Sequence, residues 1–357
     1  MPLENEKTLL LSRQECNFMR GVAILVIVLN NFGHWVNGVH PDNEFSYNES
    51  NVSGFLDSLM TPSGILPLEL LSFYSPYGVM LFIFLSGYGL TLKYEFGEGR
   101  SVTGIEFVKE HYKKLFLMQA KGLAFFLMVF TICNAKFIFG TLPFISQLFM
   151  MGNLYPLSEI TPGPYWFFGM IMEVYIIYRF VFYRRSSLIM MSIVAISILI
   201  MGGVEPNGRF IYYFRMNIGL ALLPFSLGVL VARHWSMEWS HILDTKLKCL
   251  LWLSMSFVLL TLCKFNFYSW LFMPVFIVCT AVTLVKILSH CASIVQIFTW
   301  LGGLSGVMFV IHPAIRSILI ARANENEGFY TIISVILIQV PQVSNLPVLI
   351  DRFQQND

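Results

Sequence analysis

Long apolar runs, interrupted by short polar stretches, dominate the chain from residue 18 onward. Runs that approach or exceed about 18 residues have the length of membrane spans rather than of soluble core helices. The pattern predicts ten: about 18–36, 77–94, 115–133, 164–183, 187–203, 211–233, 247–264, 267–288, 297–320 and 329–349. An eleventh apolar stretch, 137–151, is short and broken by Gly140 and Pro143. It reads as re-entrant or interfacial. The expectation is an all-α polytopic transmembrane bundle: a polar lead over 1–17, one membrane domain over 18–349 and a polar tail over 350–357. No internal repeat and no separate soluble domain is evident.

Charge placement orients this bundle. The 37–75 stretch carries Asp42, Glu44, Glu49, Asp57 and Glu69 and no Lys or Arg, whereas Lys93, Arg100, Lys109, Lys113 and Lys114 follow the second run. Basic residues also follow the fourth and sixth runs. Under the positive-inside rule, this alternation predicts cytoplasmic termini in the cell (inner) membrane, with 37–75 as an exoplasmic loop. The first run has no clear cleavage site of a signal peptide.

Composition sharpens the class. The 357 residues are 56% hydrophobic and only 12% charged, with a mean hydropathy of +0.67; soluble domains carry about 25% charge. The six cysteines show no CxxC spacing, so neither a disulfide framework nor a metal site is implied. Phosphate-loop, dinucleotide, HExxH and nucleic-acid motifs are absent from the sequence.

Polar groups inside the runs are the candidates for chemistry, because they are costly there. In the first run, MRGVAILVIVLNNFGHW, helical geometry puts Asn31 within about 20° of Arg20 and His34 within about 40°. Arg20 and His34 are then roughly 21 Å apart along the axis. A neutral imidazole can accept a proton near neutral pH, with Asn30 and Asn31 beside it to bind substrate. In the fourth run, Trp166 and Glu173 share a face, with Tyr178 beyond them. Glu173 serves either a buried ion pair or the orientation of His34. The KEHYKK cluster containing Lys113 and Lys114 suits membrane anchoring or a phosphate-binding rim. In FLSGYG, Gly87 suits close helix packing. His312, before Pro313, suits a structural or a substrate-binding role.

Taken in order, MRGVAILVIVLNNFGHW, FIFLSGYGLTL, FVKEHYKKLF, YWFFGMIMEVYIIY and FVIHP resemble the successive signatures of the acyltransferase family 3 membrane proteins, over roughly residues 15–345. The resemblance implies an integral-membrane O-acyltransferase. Such an enzyme takes an acyl group, usually acetyl, from acyl-CoA and passes it to a hydroxyl of a carbohydrate such as a surface polysaccharide. Its implied partners are acyl-CoA, a carbohydrate acceptor and the bilayer, with acetyl-CoA as co-substrate and no metal. Arg20 matches the family's first-helix Arg, and Lys113 and Lys114 stand in place of its basic cluster. Asn30 and Asn31 stand where the family's first-helix His is expected, and His34 follows one turn later. Either His34 has taken over as base, or it already stood beside a lost partner, or the chain is an inactive relative acting as a membrane partner. A glycolipid or anion transporter is the alternative from another class.

Overall fold

The computed structural model describes residues 9–40, 42–74, 78–97, 102–133 and 140–325. Among them every regular element is a helix, with no strand. Seven helices are long and apolar enough to cross a membrane: Arg13–Gly33, Leu66–Phe96, Gly104–Ile132, Gly163–Phe182, Arg209–Ile242, Lys246–Cys263 and Ala292–Glu325. Two further apolar helices, Ser187–Gly202 and Met273–Leu288, have 16 residues each. The expected span 329–349 lies outside the described residues, so the count of ten is not reached among them.

The helix α1 (Arg13–Gly33) starts five residues before the expected boundary, for a local reason. The Ser12 hydroxyl accepts from the Glu15 amide at 3.2 Å, and the Glu15 carboxylate accepts from the Ser12 amide at 2.8 Å. This reciprocal box satisfies two amides that a helix start leaves unpaired. The helix then runs unbroken for 21 residues. It ends at His34, whose amide bonds back to the Asn30 carbonyl at 3.0 Å, before Gly38 turns the chain at φ +84°.

The 37–75 stretch is more than a loop. It forms α2 (Glu49–Met60) and α3 (Leu66–Tyr74). Buried polar contacts strap it onto the bundle. Lys264 pairs with Asp42 and also donates to the Phe73 carbonyl, and Arg215 Nε donates to the Glu44 carbonyl at 2.7 Å. Burial holds the Lys264 amine below its ordinary range, against the opposing pull of Asp42.

Next come α4 (Gly78–Thr91) and α5 (Gly104–Ile132), the latter opened by a second capping box between Thr103 and Glu106. The stretch expected to be re-entrant contains α6 (Thr141–Leu148), whose eight residues extend about 12 Å and cannot span. Gln147 holds it in place: its carbonyl accepts from Gln119, and its Nε2 donates to the Pro162 carbonyl at 2.9 Å. Beyond lie α7 (Trp166–Ile177), α8 (Ser187–Gly202), α9 (Arg209–Phe214) and α10 (Leu220–Leu230). Between α9 and α10 Asn217 leaves helical geometry, at φ −104° and ψ −134°. Its side chain donates to the Tyr213 carbonyl at 2.7 Å, repairing the ladder that the break opens. The chain closes with α11 (Ser236–Ile242), α12 (Lys246–Cys263), α13 (Phe267–Trp270), α14 (Met273–Leu288) and α15 (Ala292–Glu325).

Two helix pairs approach backbone to backbone. A Cβ on Gly21 would lie 2.0 Å from the Phe298 carbonyl, and one on Gly302 would lie 1.8 Å from that of Asn17, so α1 and α15 touch through glycine on both sides. Gly87 and Gly228 join α4 to α10 in the same reciprocal way, each at 2.2 Å from a carbonyl of the other helix. Small residues permit this approach in membranes, where apolar burial gives helices little reason to associate.

Candidate active site

A cavity of about 390 Å³ opens at the His34 end of the bundle. It falls within the size range of small-molecule sites. From α1 and its C-terminal end it takes Ile27, Asn30, Asn31, His34 and Trp35; from the strap, Asn43, Glu44 and Phe45; from the segment before α7, residues 157, 158 and 160–164; and from α7 itself, Trp166 and Phe167. Val79 of α4, Phe126 and Phe130 of α5 and Phe309, Arg316 and Ser317 of α15 complete it. Aromatic rings thus surround a small set of polar groups. Phe45 packs edge-on to Trp166, with ring centroids 4.8 Å apart, which fixes the strap against α7.

His34 presents a buried Nε2 that no described group hydrogen-bonds. Burial pushes its imidazole down to about 4; nearby Asp42 opposes the shift, while Arg316 and Lys264 add to it. The ring is therefore neutral near pH 7, the form able to accept a proton. Asn31 spends one amide N–H on the Ile27 carbonyl at 3.0 Å, and an amide carries a second. Asn30 is buried beside it.

Glu44 was legible in the sequence only as one acid among several in a polar loop. The structure buries it to 8% exposure in the cavity wall. Desolvation pushes its carboxyl up to about 8; the charge of Asp42 adds to this, and Arg215 and a backbone amide oppose it. Arg316 was missed altogether. It lies over the Trp35 ring, 5.0 Å from the centroid, with Nη1 3.5 Å from the Asn31 carbonyl. One signal could have found it: a cation near the expected exoplasmic end of an apolar run departs from the positive-inside pattern.

Four of the expected site residues, Asn30, Asn31, His34 and Trp166, thus meet in one cavity. The others lie elsewhere. Glu173 accepts from Asn153 Nδ2 at 2.6 Å, and the same nitrogen reaches Asn217 Oδ1 at 2.6 Å. It lines a separate, open groove with Arg209, Tyr213 and Asn217, and no described hydrogen bond joins it to His34. Tyr178 donates to Glu95 at 3.2 Å, and Glu95 pairs with Arg233 at 2.7 Å. His312 is buried one turn before Arg316; its Nδ1 lies 3.2 Å from the Met308 carbonyl and its Nε2 has no described partner. Arg20 donates to Asn17 at 2.8 Å, and Lys113 and Lys114 are exposed on α5, so none of the three lines the cavity. Among the described residues, no group of three or more His, Cys, Asp or Glu side chains could hold a metal ion.

Comparison with known protein families matches the acyltransferase domain over residues 13–341, nearly the whole chain. Comparisons with curated proteins and with solved structures find no match. The chain belongs to the acyltransferase family 3.

Proposed function

We propose that this membrane acyltransferase moves an acyl group, acetyl foremost, from acyl-CoA to a hydroxyl of a carbohydrate, with His34 as its base. The observation that carries the proposal is the cavity itself. It sets a neutral imidazole whose buried Nε2 has no described partner among Asn30, Asn31 and aromatic faces suited to a sugar ring. The acceptor hydroxyl gives its proton to His34 Nε2 as its oxygen attacks the thioester carbonyl. The C–O bond forms, and the spare N–H of Asn31 supports the developing oxyanion. The C–S bond then breaks, and the imidazolium returns the proton to the departing thiolate.

The donor enters from the other end in this scheme. Arg20, Lys113 and Lys114 hold the CoA phosphates on the cytoplasmic side, and the His34 cavity faces outward. Glu173 accepts a hydrogen bond from Asn153, which also reaches Asn217 at the break between α9 and α10, so in this scheme it braces α7 against that break.

The test is transfer of radiolabelled acetyl from acetyl-CoA to surface glycan in cells carrying wild type, His34→Ala or no copy. Label is expected with wild type and is expected to fall by about 10²–10⁴-fold with His34→Ala. Label indifferent to His34 would sink the assigned base. Label no higher than in cells without the gene, together with absent acetyl-CoA binding, would sink the enzyme and favour an inactive membrane partner.

A further inference from the structure

The charges around the cavity do not balance. Asp42, two residues before Glu44 in the strap, is engaged by Lys264. Arg215, behind Glu44, is buried against the Trp270 ring, 4.1 Å from the centroid. Arg316 stands in the cavity wall with Trp35 beneath its plane, and no described residue forms an ion pair with it. Its single described hydrogen bond is the 3.5 Å contact to the Asn31 carbonyl, at the outer limit of such a bond. A guanidinium within an apolar helix is costly unless something negative meets it. One stacked on an aromatic face keeps its edge free for a planar, two-oxygen anion.

The other titratable groups of the wall supply no such anion near neutral pH. Burial keeps the Glu44 carboxyl protonated up to about pH 8 and His34 uncharged. The free edge of Arg316 is therefore presented to whatever occupies the cavity.

We infer that the acceptor is an acidic carbohydrate, one whose carboxylate or phosphate pairs with Arg316 while its hydroxyl is presented to His34. This rests on the acyltransferase reading of the same cavity, to which it adds the charge class of the substrate. Arg316 is then the residue that selects the acceptor, and His34 the one that reacts with it.

The experiment uses the full chain in lipid nanodiscs. Three oligosaccharides of equal length serve as probes: one bearing a glucuronate, its methyl ester, and one bearing a phosphate. Binding is measured by calorimetry and transfer by label from acetyl-CoA, for wild type, Arg316→Gln and Arg316→Lys. Wild type is expected to bind a charged probe about tenfold or more tighter than the ester. The stronger of the two charged probes identifies the anion. Arg316→Gln is expected to erase the preference, while Arg316→Lys keeps part of it. Retention of wild-type acetyl-CoA affinity by Arg316→Gln shows that this variant is folded.

Equal binding of charged probe and ester by wild type would overturn the inference. So would a preference that survives Arg316→Gln. A preference without any transfer would leave the acidic site standing and remove the acyltransferase. Transfer to charged and neutral probes alike would keep the acyltransferase and remove the acidic site.

Discussion

At the residue scale, Glu44 ties the cavity to pH. Its carboxyl is ordinarily near 4.5 when exposed and is pushed to about 8 in the fold. Between these values the folded chain holds a proton that the unfolded chain has released. This group's contribution to stability therefore falls as pH rises from about 4.5 through 8. His34 works in the opposite sense: its imidazole is lowered to about 4, so its contribution weakens as pH falls through the range below 6.5. Glu44→Gln removes only the first effect. Thermal unfolding of Glu44→Gln and wild type at pH 6 and pH 9 is expected to show the variant gaining at pH 9, by on the order of 2–4 kcal/mol relative to pH 6. An equal difference between the two proteins at both pH values would show that Glu44 ionises freely.

Sequence reasoning reached His34, Asn30, Asn31 and Trp166 because a polar group in an apolar run is conspicuous. It passed over Glu44 because an acid in a polar stretch is not. Nothing in the local sequence says that Arg215, 171 residues further on, will clamp the Glu44 carbonyl and bury the residue. Glu173 shows the converse. Its need for a polar partner was legible, but its partner Asn153 comes from a segment with no helical period to place it.

At the element scale, the bundle depends on glycines that touch. Gly302 and Gly303 are neighbours in α15 with opposite surroundings. A Cβ at Gly302 would strike the Asn17 carbonyl at 1.8 Å, whereas one at Gly303 would meet nothing within 4 Å. Gly302→Ala must push α1 and α15 apart and is expected to cost about 1–3 kcal/mol. Gly303→Ala is expected to be neutral or to gain up to about 1 kcal/mol from lower backbone entropy. Melting temperatures of the two variants check this; similar values would mean the helices are not in backbone contact. Sequence pattern predicted an all-helical membrane bundle, though not α2 and α3 in the 37–75 stretch, and that Gly87 serves packing, which its approach to Phe225 bears out. It could not foresee the early start of α1 set by Ser12 and Glu15, or the break at Asn217, because both depend on side-chain hydrogen bonds rather than on hydrophobic period.

At the scale of the whole molecule, the expected site divides into two ends. Asn30, Asn31, His34 and Trp166 gather in the cavity, while Arg20, Lys113 and Lys114 stay outside it. Under the proposed entry of donor and acceptor from opposite ends, charge reversal at Lys113 and Lys114 is expected to raise KM for acetyl-CoA by about tenfold and leave KM for the acceptor unchanged. Steady-state kinetics with each substrate varied in turn reads this. A parallel rise in both constants would mean one shared entrance. The division was hidden in the sequence because helical spacing fixes which residues share a face of α1, not which other segments close around each end. The cavity takes walls from α1, α5, α7, α15 and the strap, and only folding brings these together.

The unbroken course of α1 has one more consequence. Because Arg20 lies within a single rod of 21 residues and His34 caps its end in helical geometry, their separation is set by counting residues and not by loop conformation. The rod acts as a ruler, with about 1.5 Å to each graduation. In the proposed scheme, a donor anchored by its phosphates at one mark presents its reactive carbon at a fixed mark further along. The same scheme makes the length of acyl chain tolerated beyond that carbon a property of α1 itself. Adding one helical turn between Arg20 and His34 would shift the scale by about 5.4 Å, and with it the chain length accepted.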